Sequence, residues 1–153
     1  MTKLMFVCHG NICRSPMAEF VFKDLAAKRG LSDRFIVASS ATSTEEIWNG
    51  IGNPVDRRAA ATLRQHGVPF DGHRAVQLQK RDYEKYDLFL VMDENNRRNT
   101  LRIFGDDPDE KVKKLLGFAG GGSVADPWYS GDFEAAFDDI LRGCEALLET
   151  MEN

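Results

Sequence analysis

Short apolar runs alternate with helix-length stretches along this chain, and that alternation limits the fold more than any other feature. Residues 4–7 form the first run and read as a buried strand. Residues 16–29 read as a helix, with Pro16 in its first turn, Gly30 as its C-terminal cap, and an apolar stripe of Met17, Val21 and Leu25 with Phe20 beside it. Residues 35–38 are a second strand, 56–66 a helix stopped by Gly67, 80–86 a short helix, 88–92 a third strand, 94–104 another full helix, and 112–116 a weaker fourth strand. Residues 132–152 are the last helix, where Phe133, Phe137, Ile140, Leu141, Cys144, Leu147, Leu148 and Met151 recur at helical spacing. Two polar loops interrupt the pattern: 39–54, with the breakers Gly50, Gly52 and Pro54, and 118–131, loosened by Gly120, Gly121 and Gly122.

Strands that alternate with helices predict an α/β fold in three layers, a parallel sheet covered by helices on both faces. The 153 residues suit a single domain over 1–153, and no repeat, linker or low-complexity tract divides them. In such sheets a ligand binds beyond the carboxyl ends of the strands, where the strand order switches. The segment after the first strand, residues 8–15, is therefore the first place to look for a site.

That segment reads Cys8-His9-Gly10-Asn11-Ile12-Cys13-Arg14-Ser15 and runs into Pro16. A loop between strand and helix turns several backbone N–H groups inward, and the helix dipole adds partial positive charge, so it cradles anions. Arg14 supplies a planar, bidentate donor for two phosphate oxygens. Cys8 stands on the strand side of the cradle, where the positive field favours its thiolate. Gly10 allows close approach of backbone to ligand, Asn11 tolerates left-handed geometry, and Ser15 can donate a hydrogen bond to the thiolate. Zinc is a poor reading, because Cys8, His9 and Cys13 have no second ligand pair at suitable spacing. A thiolate that attacks phosphorus still needs a proton for the leaving group, and Asp126, in Asp126-Pro127-Trp128-Tyr129 of the second loop, is a candidate general acid.

The remaining composition excludes more than it assigns. A net charge of −4 argues against a broad nucleic-acid footprint, and the pairs Arg57-Arg58 and Arg97-Arg98 read as solvated helix faces. No apolar run is long enough to cross a membrane, and the short N-terminal run lacks a cleavage site, so the expected compartment is the cytoplasm. Three cysteines argue against a disulfide framework. Cys144 falls inside the apolar stripe of the last helix and reads as a packed core thiol. Two readings of Cys13 stay open: packing at the loop, or resolving an oxidised Cys8 as a disulfide.

Residues 8–16 resemble the phosphate-binding loop of the low-molecular-weight protein-tyrosine phosphatases, with the Asp-Pro-aromatic loop following late in the chain as in that family. The resemblance extends through residues 39–42, 52–54 and 92–94, and so covers essentially the whole chain. It implies a flavodoxin-like sheet of four parallel strands in the order 2-1-3-4. It implies hydrolysis of phosphotyrosine and small aryl phosphates, with Cys8 as nucleophile, Arg14 as phosphate clamp and Asp126 as the acid that later becomes the base. Asn11, Ser15 and Ser39 match the network that shapes the loop, and His73 and Asp93 match a supporting pair. Trp48, Trp128 and Tyr129 match the aromatic walls of the substrate cleft. No metal or cofactor is implied; the implied partners are tyrosine-phosphorylated proteins or peptides, with phosphate or other oxyanions in the site. His9 departs from the family's pattern at its loop position, and the loop over residues 44–52 is a few residues longer than in many relatives.

The same residues bear on related functions. A thiol-coupled arsenate reductase needs resolving cysteines in mid-chain, and none stands between Cys13 and Cys144. A protein-arginine phosphatase typically carries threonine where this chain has Ile12, and its acid loop is less aromatic. A module that binds phosphate without turnover would not need Cys8, Arg14 and Asp126 together.

Overall fold

The computed structural model describes residues 1–152. In chain order the elements are β1 (Thr2–Cys8), α1 (Arg14–Lys28), β2 (Phe35–Ala41), β3 (Ile47–Trp48), β4 (Ile51–Gly52), α2 (Arg57–Gln65), β5 (Leu88–Val91), α3 (Glu94–Phe104), β6 (Val112–Lys114), α4 (Pro127–Ser130) and α5 (Phe133–Glu152). The four strands of the main sheet are all parallel, in the order β2-β1-β5-β6. With the small β3-β4 hairpin set aside, this is the expected 2-1-3-4 order. The chain turns one way from β1 to β2 and the other way to β5, so the switch in strand order lies at the carboxyl end of β1.

Alternation along β1 assigns its side chains to two layers. Leu4, Phe6 and Cys8 enter the core formed with α1 and α5, while Met5 and Val7 enter the core on the other face, with Leu78, Phe89, Val91 and Phe104. Cys8 thus leaves the strand on the α1 side, where the loop that starts α1 must pass. The expected stripe of α5 faces the core: Phe133, Phe137, Ile140, Cys144, Leu147 and Leu148 are buried, and Leu141 and Met151 are half-buried against them.

Several boundaries differ from the sequence reading, each for a physical reason. α1 begins at Arg14 rather than Pro16, since the Met17 N–H already bonds the Cys13 carbonyl at 3.1 Å. β2 continues to Ala41, because Ser39, Ser40 and Ala41 pair with Phe6, Val7 and Cys8; two serines hid a strand from a search for apolar runs. The first polar loop also holds the β3-β4 hairpin. The short helix is a 3-10 segment over Lys80–Glu84. β6 stops at Lys114, and Leu115–Ala119 coil into another 3-10 turn that buries Leu115 and Leu116. Gly143 of α5 allows this approach: a Cβ there would stand 2.6 Å from Leu115 Cγ. The second polar loop contains the one-turn helix α4. No helix among the described residues is long and apolar enough to cross a membrane.

Candidate active site

The cavity at the end of β1 is lined by residues 8–14, Glu45, Glu46, Asp126, Trp128 and Tyr129. Cys8 is almost fully buried at its base. Its Sγ accepts the backbone N–H of Asn11 at 3.3 Å and of Ser15 at 3.4 Å, so the loop and the start of α1 each point a donor at sulfur. Ser15 Oγ lies 3.0 Å from Sγ. Asn11 Nδ2 donates to that same oxygen at 2.8 Å, which leaves the serine's own proton for another acceptor. Cys8 Sγ at 3.0 Å is nearer than the Ser40 carbonyl at 3.5 Å, so the hydroxyl donates to sulfur. Three donors thus converge on one sulfur.

Asn11 is the keystone of this loop. It is fully buried and holds φ = 60°, a left-handed conformation that asparagine tolerates. Its Oδ1 accepts the Val76 N–H at 3.1 Å, which fixes the amide orientation. His73 Nε2 lies 2.9 Å from the same oxygen and must therefore be the protonated nitrogen. His73 Nδ1 faces Glu19 Oε1 at 3.9 Å. Burial pushes the His73 pKa below its ordinary value, outweighing the opposite pull of Glu19 and Asp71. Glu19 in turn accepts Ser39 Oγ at 2.6 Å and Lys23 Nζ at 2.6 Å. Ser39 therefore reaches the loop through Glu19 and His73.

Arg14, only 2% exposed, holds the opposite wall. Nη1 donates to Asp93 Oδ2 at 2.7 Å and to the Val124 carbonyl at 2.8 Å. Those two bonds use both Nη1 hydrogens, which leaves oxyanion binding to Nε and Nη2. Nη2 also lies 3.5 Å from Asp126 Oδ2. Burial works against the guanidinium charge, but Cys8, Asp93 and Asp126 outweigh it and hold Arg14 above its ordinary value. His73 and Asp93 thus brace different groups, the former Asn11 and the latter Arg14. Cys13 occupies the N-cap position of α1 without a side-chain capping bond, a buried thiol that burial, then Asp56, Cys8 and Asp126, push well above its ordinary range. Asp126 caps α4 by accepting the Trp128 N–H at 3.1 Å.

The structure does not bring Trp48 into the cavity. The hairpin turns through Asn49 and Gly50, both at positive φ, and leaves Trp48 78% exposed outside the lining. Glu45 and Glu46 stand in the lining on that side, and Glu45 pairs with His9 across 3.0 Å. Gly10 gives way to this rim, since a Cβ there would meet Glu46 Cγ at 3.2 Å. Among the described residues, no group of three or more His, Cys, Asp or Glu side chains could hold a metal ion.

The family model for low molecular weight phosphotyrosine protein phosphatase matches residues 3–153. The chain belongs to the low-molecular-weight phosphotyrosine protein phosphatase family. Among its relatives, the low molecular weight protein-tyrosine-phosphatase YfkJ of Bacillus subtilis is 37% identical over 99% of this chain and 97% of its own length. The crystal structure of YfkJ superposes with a TM-score of 0.93, covering 99% of this chain and 95% of that one. The human low molecular weight phosphotyrosine protein phosphatase is 40% identical over 95% of this chain and 93% of its own. The Drosophila arginine phosphatase DARP has the same fold at 28% identity and a TM-score of 0.87, covering 100% of this chain and 99% of that one.

Within this phosphatase fold, four contributors escaped the sequence reading. Glu19 carried a readable signal, a lone carboxylate inside the apolar stretch Pro16–Phe22 of α1 that has to be buried and partnered. Val124 contributes only a backbone carbonyl, and no side-chain pattern announces that. Glu45 and Glu46 reach the site through the hairpin, whose turn carried no apolar alternation to mark it.

Proposed function

We propose that this chain is a metal-independent protein-tyrosine phosphatase that works through a cysteinyl-phosphate on Cys8. The observation that carries the reading is convergence: three donors meet at Cys8 Sγ, while Arg14 and Asp126 face the same cavity. In the first step the Cys8 thiolate attacks phosphorus, the S–P bond forms, and the P–O bond to the phenol breaks. Asp126 gives its proton to the departing oxygen. Backbone N–H groups of the loop and the free edge of the Arg14 guanidinium hold the equatorial oxygens, where charge gathers in a loose transition state. In the second step Asp126, now a carboxylate, takes a proton from water; that oxygen attacks phosphorus, the S–P bond breaks, and inorganic phosphate leaves. Ser15 donates to sulfur in its anionic states and so favours it as a leaving group in this step.

Asn11, His73, Glu19 and Ser39 keep the loop in its left-handed shape, and Asp93 keeps Arg14 turned toward the cavity. The whole chain acts as one catalytic domain on tyrosine-phosphorylated proteins or peptides, with free phosphate and other oxyanions as active-site ligands. A reducing compartment such as the cytoplasm suits a mechanism that needs Cys8 as a thiol.

Trp128 and Tyr129 flank the mouth of the cavity and Ile12 lines it, so an aryl ring meets apolar surface on its way to the cradle. Phosphotyrosine is expected to be hydrolysed far faster than phosphoserine, whose short side chain stops before the phosphorus reaches Cys8. Comparable kcat/KM on the two would remove the basis for the tyrosine reading. A phosphoarginine reading draws on one feature, the carboxylates of Glu45 and Glu46 in the rim, which suit a guanidinium. Ile12 cannot hydrogen-bond that group, and assaying phosphotyrosine, phosphoarginine and arsenate side by side decides among the three chemistries. Because Arg14 and backbone N–H groups meet the phosphate charge, activity is expected to survive EDTA. Loss on chelation, restored by a divalent ion, would point to a metallophosphatase.

A further inference from the structure

Arg58 belongs to a pair that the sequence reads as a solvated helix face, and the structure uses it otherwise. Its Nε and Nη2 lie 3.2 and 3.3 Å from the two oxygens of Asp56, the residue that caps α2 by accepting the Arg58 N–H at 2.8 Å. This fork holds the guanidinium charged, and it keeps the Asp56 pKa below the usual carboxylate value against the opposing effect of burial. The guanidinium carbon stands 4.8 Å from the centroid of the Phe133 ring and 5.3 Å from that of Trp128. Both distances fall within the range of cation–π attraction.

What these contacts join matters more than any one of them. The Asp56 N–H donates to the Ile12 carbonyl at 2.9 Å, so the Arg58 side chain is anchored to the phosphate loop. Phe133 is buried at the start of α5 and does not give way. Trp128 is half exposed, and its N–H is capped by Asp126 Oδ1 at 3.1 Å. The segment that carries Asp126 is tied down upstream at Val124, whose N–H bonds the Met92 carbonyl at 2.9 Å, and at the buried Pro127. Beyond Pro127, Trp128, Tyr129 and Ser130 are exposed until Gly131 at φ = 73°. Arg58 reaches across to this stretch through the Trp128 ring.

We propose that Arg58 is a positioning residue for proton transfer: braced by Asp56 and Phe133, it fixes Trp128, and through Trp128 the carboxyl of Asp126, at a set distance from the phosphate loop. The inference rests on Asp126 being the general acid. It predicts a loss that depends on the leaving group, because only a basic phenolate needs a well-placed proton. Loss of a merely structural brace lowers activity on every substrate alike.

The test is kcat/KM of Arg58→Met, Arg58→Lys and Asp126→Ala on a series of aryl phosphates of graded phenol acidity, with phosphotyrosine at the basic end. For Arg58→Met the expected loss is about tenfold on phosphotyrosine and under about twofold on the most acidic phenol, a part of the ~10²–10⁴-fold that general acid catalysis supplies in full. Arg58→Lys keeps a cation over the rings but lacks the planar fork, so it recovers part of the loss. Adding Arg58→Met to Asp126→Ala is expected to change nothing further, since the acid through which Arg58 acts is gone. Equal losses along the series, or losses that multiply in the double variant, overturn the proposal. If Asp126→Ala itself shows no leaving-group dependence, the acid assignment has failed; a steep Asp126→Ala series beside a flat Arg58→Met series sinks the Arg58 role alone. Should Arg58→Met not fold by circular dichroism, Trp128→Leu cuts the same link from its exposed side, and a flat series for that variant is equally fatal.

Discussion

Cys8→Ser is expected to abolish turnover while keeping phosphate bound. The substituted hydroxyl stands where Sγ stood, but a serine hydroxyl is not ionised near neutral pH. None of the groups bonded to Sγ can take its proton: two are backbone N–H groups, and the third is a serine hydroxyl already directed there. Loss of a covalent nucleophile in other hydrolases costs about 10⁶-fold in kcat, and a loss of that order is expected. Binding answers to different atoms. The cradle is built from backbone N–H groups and Arg14, which is buried and fixed by Asp93 and the Val124 carbonyl. Removing a thiolate from beneath a dianion also removes a repulsion, so phosphate is expected to bind as well as before or better. Calorimetric titration with inorganic phosphate, together with turnover of a phosphotyrosine peptide, checks both halves. A variant that keeps a substantial part of its turnover disproves the covalent route, and one that loses phosphate binding as well shows that Cys8 shapes the loop rather than attacking from it.

The candidate site at this loop could be read directly from the sequence, because a cysteine, an arginine and a helix start stand in a fixed spacing after an apolar run. The sheet was legible for a related reason: β1 and β5 are buried on both faces and read as continuous apolar runs. β2 was legible only to Ala38. Its last turns carry Ser39, Ser40 and Ala41, and those residues are strand because they complete the register with Phe6 to Cys8, a tertiary cause that local composition does not display. The family resemblance implied Trp48 beside the cleft, yet the structure leaves it outside the lining. Asn49 and Gly50 sit at the two tight positions of the hairpin, at φ values of 51° and 76°; the indole is left in solvent, while Glu45 and Glu46, just before the hairpin, line the cavity.

The wiring behind the loop was less visible still. The family resemblance names Ser15, Asn11 and His73 as supporting residues, but their order along one chain of hydrogen bonds depends on which atom of Asn11 faces which neighbour. Only the Val76 N–H, from a segment with no motif of its own, settles that orientation. Glu19, inside α1, stands 3.9 Å from His73 Nδ1, and its one carboxylate accepts both Ser39 and Lys23. A buried carboxylate with two donors is stable because both are supplied, and removing either leaves it under-satisfied.

Asp126→Ala is expected to slow phosphotyrosine by ~10²–10⁴-fold, the usual worth of general acid–base help, and to slow an aryl phosphate with a very acidic phenol far less. The alanine also deletes the cap that accepts the Trp128 N–H, so Asp126→Asn, which keeps an oxygen there but cannot donate an acidic proton, is the cleaner variant. Agreement between the two assigns the loss to the proton and not to the cap. The pH profile makes a separate demand. The acid must hold its proton while Cys8 is ionised, so kcat/KM on phosphotyrosine passes through a maximum and falls on the alkaline side as the acid ionises. The other groups around the cavity whose pKa values are displaced do not supply that limb. Arg14 is held above its ordinary value by Cys8, Asp93 and Asp126 against its burial, and so keeps its charge throughout. Cys13 is pushed up by burial and neighbouring anions and stays a neutral thiol. His73 is pushed down by burial, so it takes up its proton only on the acid side, where it can steepen the other limb. Both Asp126 variants are therefore expected to lose the alkaline fall while retaining the acid one. Profiles of wild type and the two variants, on substrates that differ in phenol acidity, carry the test. If the variants lose equally on both substrates and keep the alkaline limb, Asp126 is not the acid, and the donor must be sought elsewhere among the groups that line the cavity, with Glu45 and Glu46 the first carboxyls to substitute.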